Sequence, residues 1–182
     1  MLKLSDNPPM LHPAVGSLRE LTGQWWVAHT KARNEKAFAW DLADRGVAYY
    51  LPMVPRLTFS GGRKRRGLQP LFPSYVFVVG PDESRDVALR TNRLCNMIEV
   101  DDQPKLIDEL SSIERVLSQG FHVDLCPFAQ IGQSVQIARG PFRGIIGRVI
   151  RRDSVTKLML EVSILGRAVE MEIESDLLAA AA

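Results

Sequence analysis

Hydrophobic and polar positions change period several times along the chain, and those changes predict its elements. Residues 25–30, Trp-Trp-Val-Ala-His-Thr, form an aromatic and β-branched run that reads as a core strand. Asn34 then stands where a helix cap belongs. Ala37, Phe38 and Leu42 share a stripe at helical spacing with Asp41 and Arg45, and Gly46 closes the segment, so a helix is predicted to about Arg45. Residues 49–59 are strand-like, and Pro52 and Pro55 place them at an edge or bend because proline cannot donate to a central ladder. A basic glycine-flanked stretch, residues 61–67, reads as the tip of a hairpin whose second arm resumes as a strand over 74–79.

Residues 82–92 are predicted helical and 94–100 extended. A second amphipathic helix over 104–118 is marked by Leu106, Ile107, Leu110, Ile113 and Leu117 on one face, with Pro104 in its first turn. This order fits an α+β domain, an antiparallel sheet with helices packed on it. Residues 120–130 read as a linker. Short β-branched runs at 134–138, 145–151, 157–164 and 168–173 alternate with glycine-bearing turns, and a segment of that length suits a small SH3-like barrel. The leading 24 residues, with Pro8, Pro9 and Pro13 and no sustained period, read as a flexible extension. The expected division is therefore extension 1–24, first domain 25–119, linker 120–130 and barrel 131–182.

Composition narrows the function classes. With 46% hydrophobic and 24% charged residues over 182 positions, the chain has the make-up of ordinary globular domains. A net charge of +2 does not mark a bulk polyanion binder, so a nucleic-acid role has to come from local patches. Cys95 and Cys126 are far apart and without metal-ligand spacing, which points to a reduced, cytoplasmic, metal-free and cofactor-free protein. No apolar run approaches the roughly 20 residues that span a bilayer.

Candidate chemistry is sparse. His12, His29 and His122 fall in an extension, a strand and a linker, and no nucleophile, base and acid assemble from the pattern, so no enzyme is expected. Glu170, Glu172 and Glu174 alternate with apolar residues as on an outward strand face. Arg63, Lys64, Arg65 and Arg66 are suited to a phosphate backbone, where each neutralised phosphate releases counterions. In the strand over 74–79, Tyr75, Phe77 and Val79 share one face, and Val76 and Val78 share the other. With the valines turned to the helices, the rings form an apolar patch on the opposite side, the mark of a partner site.

Five separated segments carry a resemblance: Trp25-Trp26-Val27; Phe72-Pro73-Ser74-Tyr75-Val76-Phe77-Val78; Arg90-Thr91-Asn92-Arg93; residues 132–147; and Val162-Ser163-Ile164-Leu165-Gly166-Arg167. In these the chain resembles the NusG family of transcription elongation and antitermination factors. The resemblance implies an NGN domain that binds the clamp helices of RNA polymerase and suppresses pausing, followed by a KOW barrel. It implies polymerase contacts at Tyr75, Phe77 and Phe72, and contacts to the non-template DNA strand at Lys31 and Arg93. It also implies a second partner for the barrel, Rho or a small-subunit ribosomal protein, at Ile164, Leu165 and Arg167.

Leu165 stands where general members usually have phenylalanine, and Ser74 where they have glycine. Ser74 and Lys31 resemble the specialised, RfaH-like branch. Glycines at 140, 144, 147 and 166, with the β-branched Val149, Ile150, Val155, Val162 and Ile164, favour strands over helices in the carboxy-terminal part. The resulting expectation is a monomeric, non-enzymatic elongation and antitermination factor. A ribosome-associated RNA-binding protein built around the KOW segment is the alternative.

Overall fold

The computed structural model describes residues 7–60, 63–121, 123–127, 132–152, 155–174 and 177–180. The chain divides into two compact units, Met1–Gln103 and Pro104–Ala182, so the division falls earlier than the expected boundary at 119.

From Asn7 onward the leading residues are part of the first unit, which corrects their reading as a flexible extension. Strand β1 (Leu11–His12) pairs antiparallel with β3 (Ala48–Tyr50), His12 opposite Tyr49 and Leu11 opposite Tyr50. The Tyr49 hydroxyl donates to the Pro9 carbonyl at 3.1 Å, and the Leu51 N–H donates to Met10 O at 2.7 Å. Burial pushes the Tyr49 phenol well above its usual range. Pro8 and Leu18 are buried, and Leu18 lies in a short 3-10 turn that the Ser17 side chain caps. Prolines that deny this segment a helical or strand period are compatible with a sheet edge, where a missing donor costs nothing.

The first sheet has the antiparallel order β1-β3-β6-β2-β7, with β6 (Tyr75–Gly80) central, β2 (Gln24–Thr30) beside it and β7 (Leu94–Glu99) at the far edge. Trp26 and Ala28 of β2, Tyr49 of β3, Val76 and Val78 of β6 and Met97 of β7 form one cluster. Phe38, Ala39 and Leu42 of helix α1 (Glu35–Asp44) and Ala88 of α2 (Asp82–Leu89) pack into it. Full burial stabilises each larger apolar side chain by about 1.5–3 kcal/mol. Gln103 finishes this unit: its Oε1 accepts the Trp25 N–H at 2.8 Å, while its Nε2 donates to the carbonyls of Trp25 at 3.0 Å and Val100 at 2.9 Å.

Strands β4 (Met53–Ser60) and β5 (Arg63–Pro70) make a separate two-stranded ribbon. The basic stretch is therefore not a loop. Its backbone is the returning arm, with Ser60 opposite Arg63, Phe59 opposite Lys64, Thr58 opposite Arg65 and Leu57 opposite Arg66. A continuous ladder outweighs the weak strand propensity of the cations. Gly61 and Gly62 lie outside the described residues.

The second unit contains all but the first residue of helix α3 (Gln103–Ser118) and a six-stranded antiparallel sheet. The strands are β8 (Asp124–Pro127), β9 (Gln133–Ile137), β10 (Ile146–Arg152), β11 (Val155–Val162), β12 (Arg167–Glu172) and β13 (Leu178–Ala180), in the order β13-β9-β10-β11-β12-β8. Strand β8 falls within the expected linker, where it pairs with β12, and this corrects that reading. Val135, Ile137, Leu158, Leu160, Val162 and Val169 are buried, and the whole segment is strand-rich, as its β-branched runs require.

Glycine is obligatory at 132: φ is +113°, and an added Cβ would stand 2.2 Å from the Val149 carbonyl oxygen. Glu170 departs from the expected outward face. It is buried and accepts a hydrogen bond from Lys157 Nζ at 2.7 Å. Among the described residues, no helix is long and apolar enough to cross a membrane.

Candidate polymerase and nucleic-acid interface

Three connections meet at one end of the first sheet: residues 31–34 after β2, 71–74 before β6, and 90–93 before β7. The Thr30 N–H donates to Ser74 O at 2.8 Å, and the Lys31 N–H donates to Arg93 O at 2.8 Å. Each connection contains a residue with left-handed backbone, Arg33 (φ 62°), Ser74 (φ 69°) and Asn92 (φ 58°), and among the described residues these are the non-glycine residues with positive φ. Asparagine tolerates that region, whereas for other residues it costs about 1–2 kcal/mol. Strain of this kind persists where surrounding bonds hold it, and it concentrates at functional sites.

The bonds that hold it come from α1. Glu35, in the first turn, is buried, and its Oε1 accepts the Ser74 N–H at 2.7 Å. Asn34, expected as a side-chain cap, makes no cap bond; its Nδ2 donates to Ala32 O at 3.1 Å and its Oδ1 accepts from Arg93 Nη1 at 3.1 Å.

The structure separates the three aromatics expected on the open face. Tyr75 is half-buried and stacked on His29, ring centroids 5.0 Å apart. Phe77 is fully buried, stacked with Tyr50 at 6.3 Å and edge-on to Phe72 at 6.1 Å; Phe72 is itself 1% exposed. The expectation of an uncovered Phe77 and Phe72 is thus corrected. Alternation assigns a ring to a face, and here Val76 and Val78 do meet the helices, but a central strand away from its end is covered on both faces.

Of the two nucleic-acid contacts that the resemblance implies, Lys31 is exposed with its Nζ on the Asn92 carbonyl at 2.6 Å. Arg93 is not a free cation: its Nε donates to Asp41 Oδ2 in a close ion pair, and Asn34 takes a second guanidinium bond. Beside Lys31 lies a pocket of about 230 Å³, lined among others by Arg85, Asn92, Cys95 and Asn96. Two cations, two carboxamides and no carboxylate on its walls suit it to an anion or a hydrogen-bonding edge. Arg63, Lys64, Arg65 and Arg66 sit, by register, at the far end of the ribbon from residues 71–74. Sequence reasoning missed Glu35, Asp41, Arg85 and Asn96. Asp41, which shares a largely apolar stripe with Arg45, is the available signal; the others have none.

In the second unit, Ile164 and Leu165 belong to a 3-10 turn, Ser163–Leu165, ended by left-handed Gly166 (φ 57°), and Arg167 opens β12. All three candidate residues are partly exposed. Ser163 is held by Glu109 of α3: its N–H donates to Oε2 at 3.0 Å and its hydroxyl to Oε1. Burial raises the Glu109 carboxyl above its usual range, against the opposing pull of the Ser163 bonds and of Lys105, 4.0 Å away. Arg115 Nη2 donates to the carbonyls of Pro141 at 3.0 Å and Arg143 at 3.1 Å. Among the described residues, no group of three or more His, Cys, Asp or Glu side chains could hold a metal ion.

A solved MjSpt4:Spt5 complex, conformation B, aligns over 85% of this chain and 95% of that chain at 16% identity, with a TM-score of 0.28. The chain is 26% identical over 168 residues to the transcription termination/antitermination protein NusG of Halalkalibacterium halodurans, covering 82% of this chain and 94% of the relative. The family described as "Transcription termination factor nusG" matches residues 23–117. That match spans more than half of the chain and takes in every loop at the open end of the first sheet, and so the protein belongs to the NusG family of transcription factors.

Proposed function

We propose that this protein is an elongation and antitermination factor that binds the clamp helices of RNA polymerase through the open end of its first sheet. The observation that carries this reading is the half-exposed Tyr75 ring stacked on His29, beside the cation-lined pocket at Lys31. A large aromatic held rigid by stacking contributes area at little entropic cost, which makes such residues anchors of interfaces. Lys31, Arg85 and Asn92 then meet the non-template DNA strand, where phosphate contacts contribute affinity without sequence information. Phe77 and Phe72 act as the packed support beneath Tyr75 rather than as contacts.

On this reading the family-matched residues 23–117 serve as the NGN domain, and the sheet of β8 to β13 serves as a KOW domain that recruits Rho or a small-subunit ribosomal protein through Ile164, Leu165 and Arg167. The protein works in the cytoplasm as a monomer, its activity is binding, and Ser74 and Lys31 favour a specialised paralogue. Tyr75→Ala is expected to weaken binding to RNA polymerase about tenfold or more, as loss of a hot-spot aromatic does, and to abolish the shortening of pauses in transcription in vitro. Unchanged polymerase binding in both Tyr75→Ala and His29→Ala would place the interface elsewhere.

A further inference from the structure

Among the described residues, the ribbon of β4 and β5 pairs with no strand of the first sheet, so its direction is set at its base. A lone two-stranded ribbon is marginally stable and takes its direction from whatever holds that base. The chain enters this one through Leu51-Pro52-Met53 and leaves it through Pro70-Leu71. One bond closes the neck, from the Leu71 N–H to Pro52 O at 2.8 Å.

Further ties come from the leading segment. Pro52 has no N–H, and the two backbone donors that flank it both go to Met10: the Leu51 N–H to its carbonyl oxygen at 2.7 Å, and the Met53 N–H to its Sδ at 3.3 Å. On the other arm, the Leu68 carbonyl accepts from Lys36 Nζ of α1, and the same ammonium donates to Asn7 Oδ1 at 2.6 Å. Met10 therefore holds the outgoing arm, and Asn7, through Lys36, the returning one. The segment that carries them is itself fixed, since β1 pairs with β3, Pro8 is buried and the Tyr49 hydroxyl donates to Pro9 O. It lies ahead of residues 23–117, so these ties are no part of the family match.

We propose that Asn7 and Met10 are positioning residues, and that the leading segment is a brace that aims the basic arm, residues 63–66, at the backbone of duplex DNA. The inference rests on the reading of those cations as a nucleic-acid contact, and it adds what fixes their direction. A two-stranded ribbon is of a size that the major groove admits. An arm already held in one direction loses less freedom on meeting the phosphates than a swinging one. The brace thus contributes affinity without touching DNA.

The test uses the full chain. Spin labels on Leu57→Cys of β4 and Asp82→Cys of α2, both exposed positions, report the direction of the ribbon in a Cys95→Ser, Cys126→Ser background. The distance between them, read by pulsed dipolar spectroscopy, should be narrowly distributed in the parent and broadened in the double variant Asn7→Ala, Met10→Leu. With Asn7→Asp, which keeps an acceptor for Lys36, and native Met10 it should stay narrow. Unchanged hydrogen exchange at the buried amides of Val27 and Val78 certifies the fold. An unaltered distribution in the double variant would overturn the brace.

The second readout is fluorescence anisotropy with a DNA duplex of arbitrary sequence at several salt concentrations. The double variant should bind about fivefold more weakly, with the slope of log K against log salt unchanged, because the bound ribbon meets the same phosphates. Arg65→Gln should lower the affinity and flatten that slope by about 0.9. If Arg65→Gln behaves so while the double variant keeps full affinity, or loses slope along with it, the aiming role is overturned and the DNA contact stands. If Lys64→Gln and Arg65→Gln change neither affinity nor slope, the reading of the arm as a nucleic-acid contact falls instead.

Discussion

Tyr75 and Phe77 lie two residues apart on one face of β6, yet one ring is half-exposed on His29 and the other is sealed between Tyr50 and Phe72. They share chemistry, strand and orientation, and differ only in distance from the strand's end. At Tyr75 β6 is paired on one side, with His29 of β2, and adjoins loops fixed by side-chain hydrogen bonds; two residues further in, Phe77 is paired on both sides, with Val27 and Tyr50. A binding surface in this sheet is therefore placed by the loops rather than by the strand that supplies the aromatic.

The largest effect separates the two rings. Phe77→Ala should cost about 3–5 kcal/mol of stability, the range for a buried phenylalanine whose cavity cannot collapse, and Tyr75→Ala about 1 kcal/mol. Thermal unfolding of the two variants decides the matter. Comparable small losses in both would mean that Phe77 is not structural. Polymerase binding lost in Phe77→Ala alone, at unchanged stability, would restore it as a contact.

Much of this architecture was legible in the sequence, and the omissions have physical reasons. The aromatic run at Trp25 to Thr30, the helix closed by Gly46 and the stripe of Leu106, Leu110 and Ile113 were readable because period and capping residues agree there. Strand β1 was not, since two residues carry no period and their pairing with Tyr49 and Tyr50 is set by the tertiary fold. Strand β8 disappeared into a linker for the same reason. The basic arm of the ribbon looks like a loop in sequence because its local composition hides a ladder visible only with both arms in view. At the candidate site the sequence names Lys31 and Tyr75, which are exposed and partly exposed. It could not show that Arg93 is spent on Asp41, because the two are far apart in the chain and meet only in space.

The next largest effect tests the loops. Glu35→Ala removes the acceptor of the Ser74 N–H and with it the bond that holds a left-handed serine in place. A buried donor left unpaired costs about 1–3 kcal/mol. Ser74→Gly in the same background should recover part of that loss, since glycine takes positive φ without penalty. Melting temperatures of wild type, Glu35→Ala and the double variant measure both steps. If Glu35→Ala melts like wild type, the end loops are held by something other than this carboxylate, and the contrast between a fixed end and a packed middle loses its cause.

The smallest effect on stability sharpens the functional side of the contrast. Asp41 accepts the Arg93 guanidinium and also stands 4.0 Å from Arg45 Nη1, so one carboxylate faces two cations. Both partners of the Arg93 pair are partly exposed, at 33% and 24%, and ion pairs of that kind contribute about 1 kcal/mol or less. Asp41→Asn keeps the shape, removes the charge and releases Arg93 toward whatever lies against the pocket. If that is a nucleic-acid strand, the variant binds single-stranded DNA more tightly at low salt, and the slope of log K against log salt steepens by about 0.7 for each additional phosphate neutralised. A fluorescence anisotropy titration at several salt concentrations reads both quantities. An unchanged slope, with stability also unchanged, would mean that Arg93 does not face nucleic acid even when free, and the cation-lined pocket at Lys31 would then have to serve the polymerase instead.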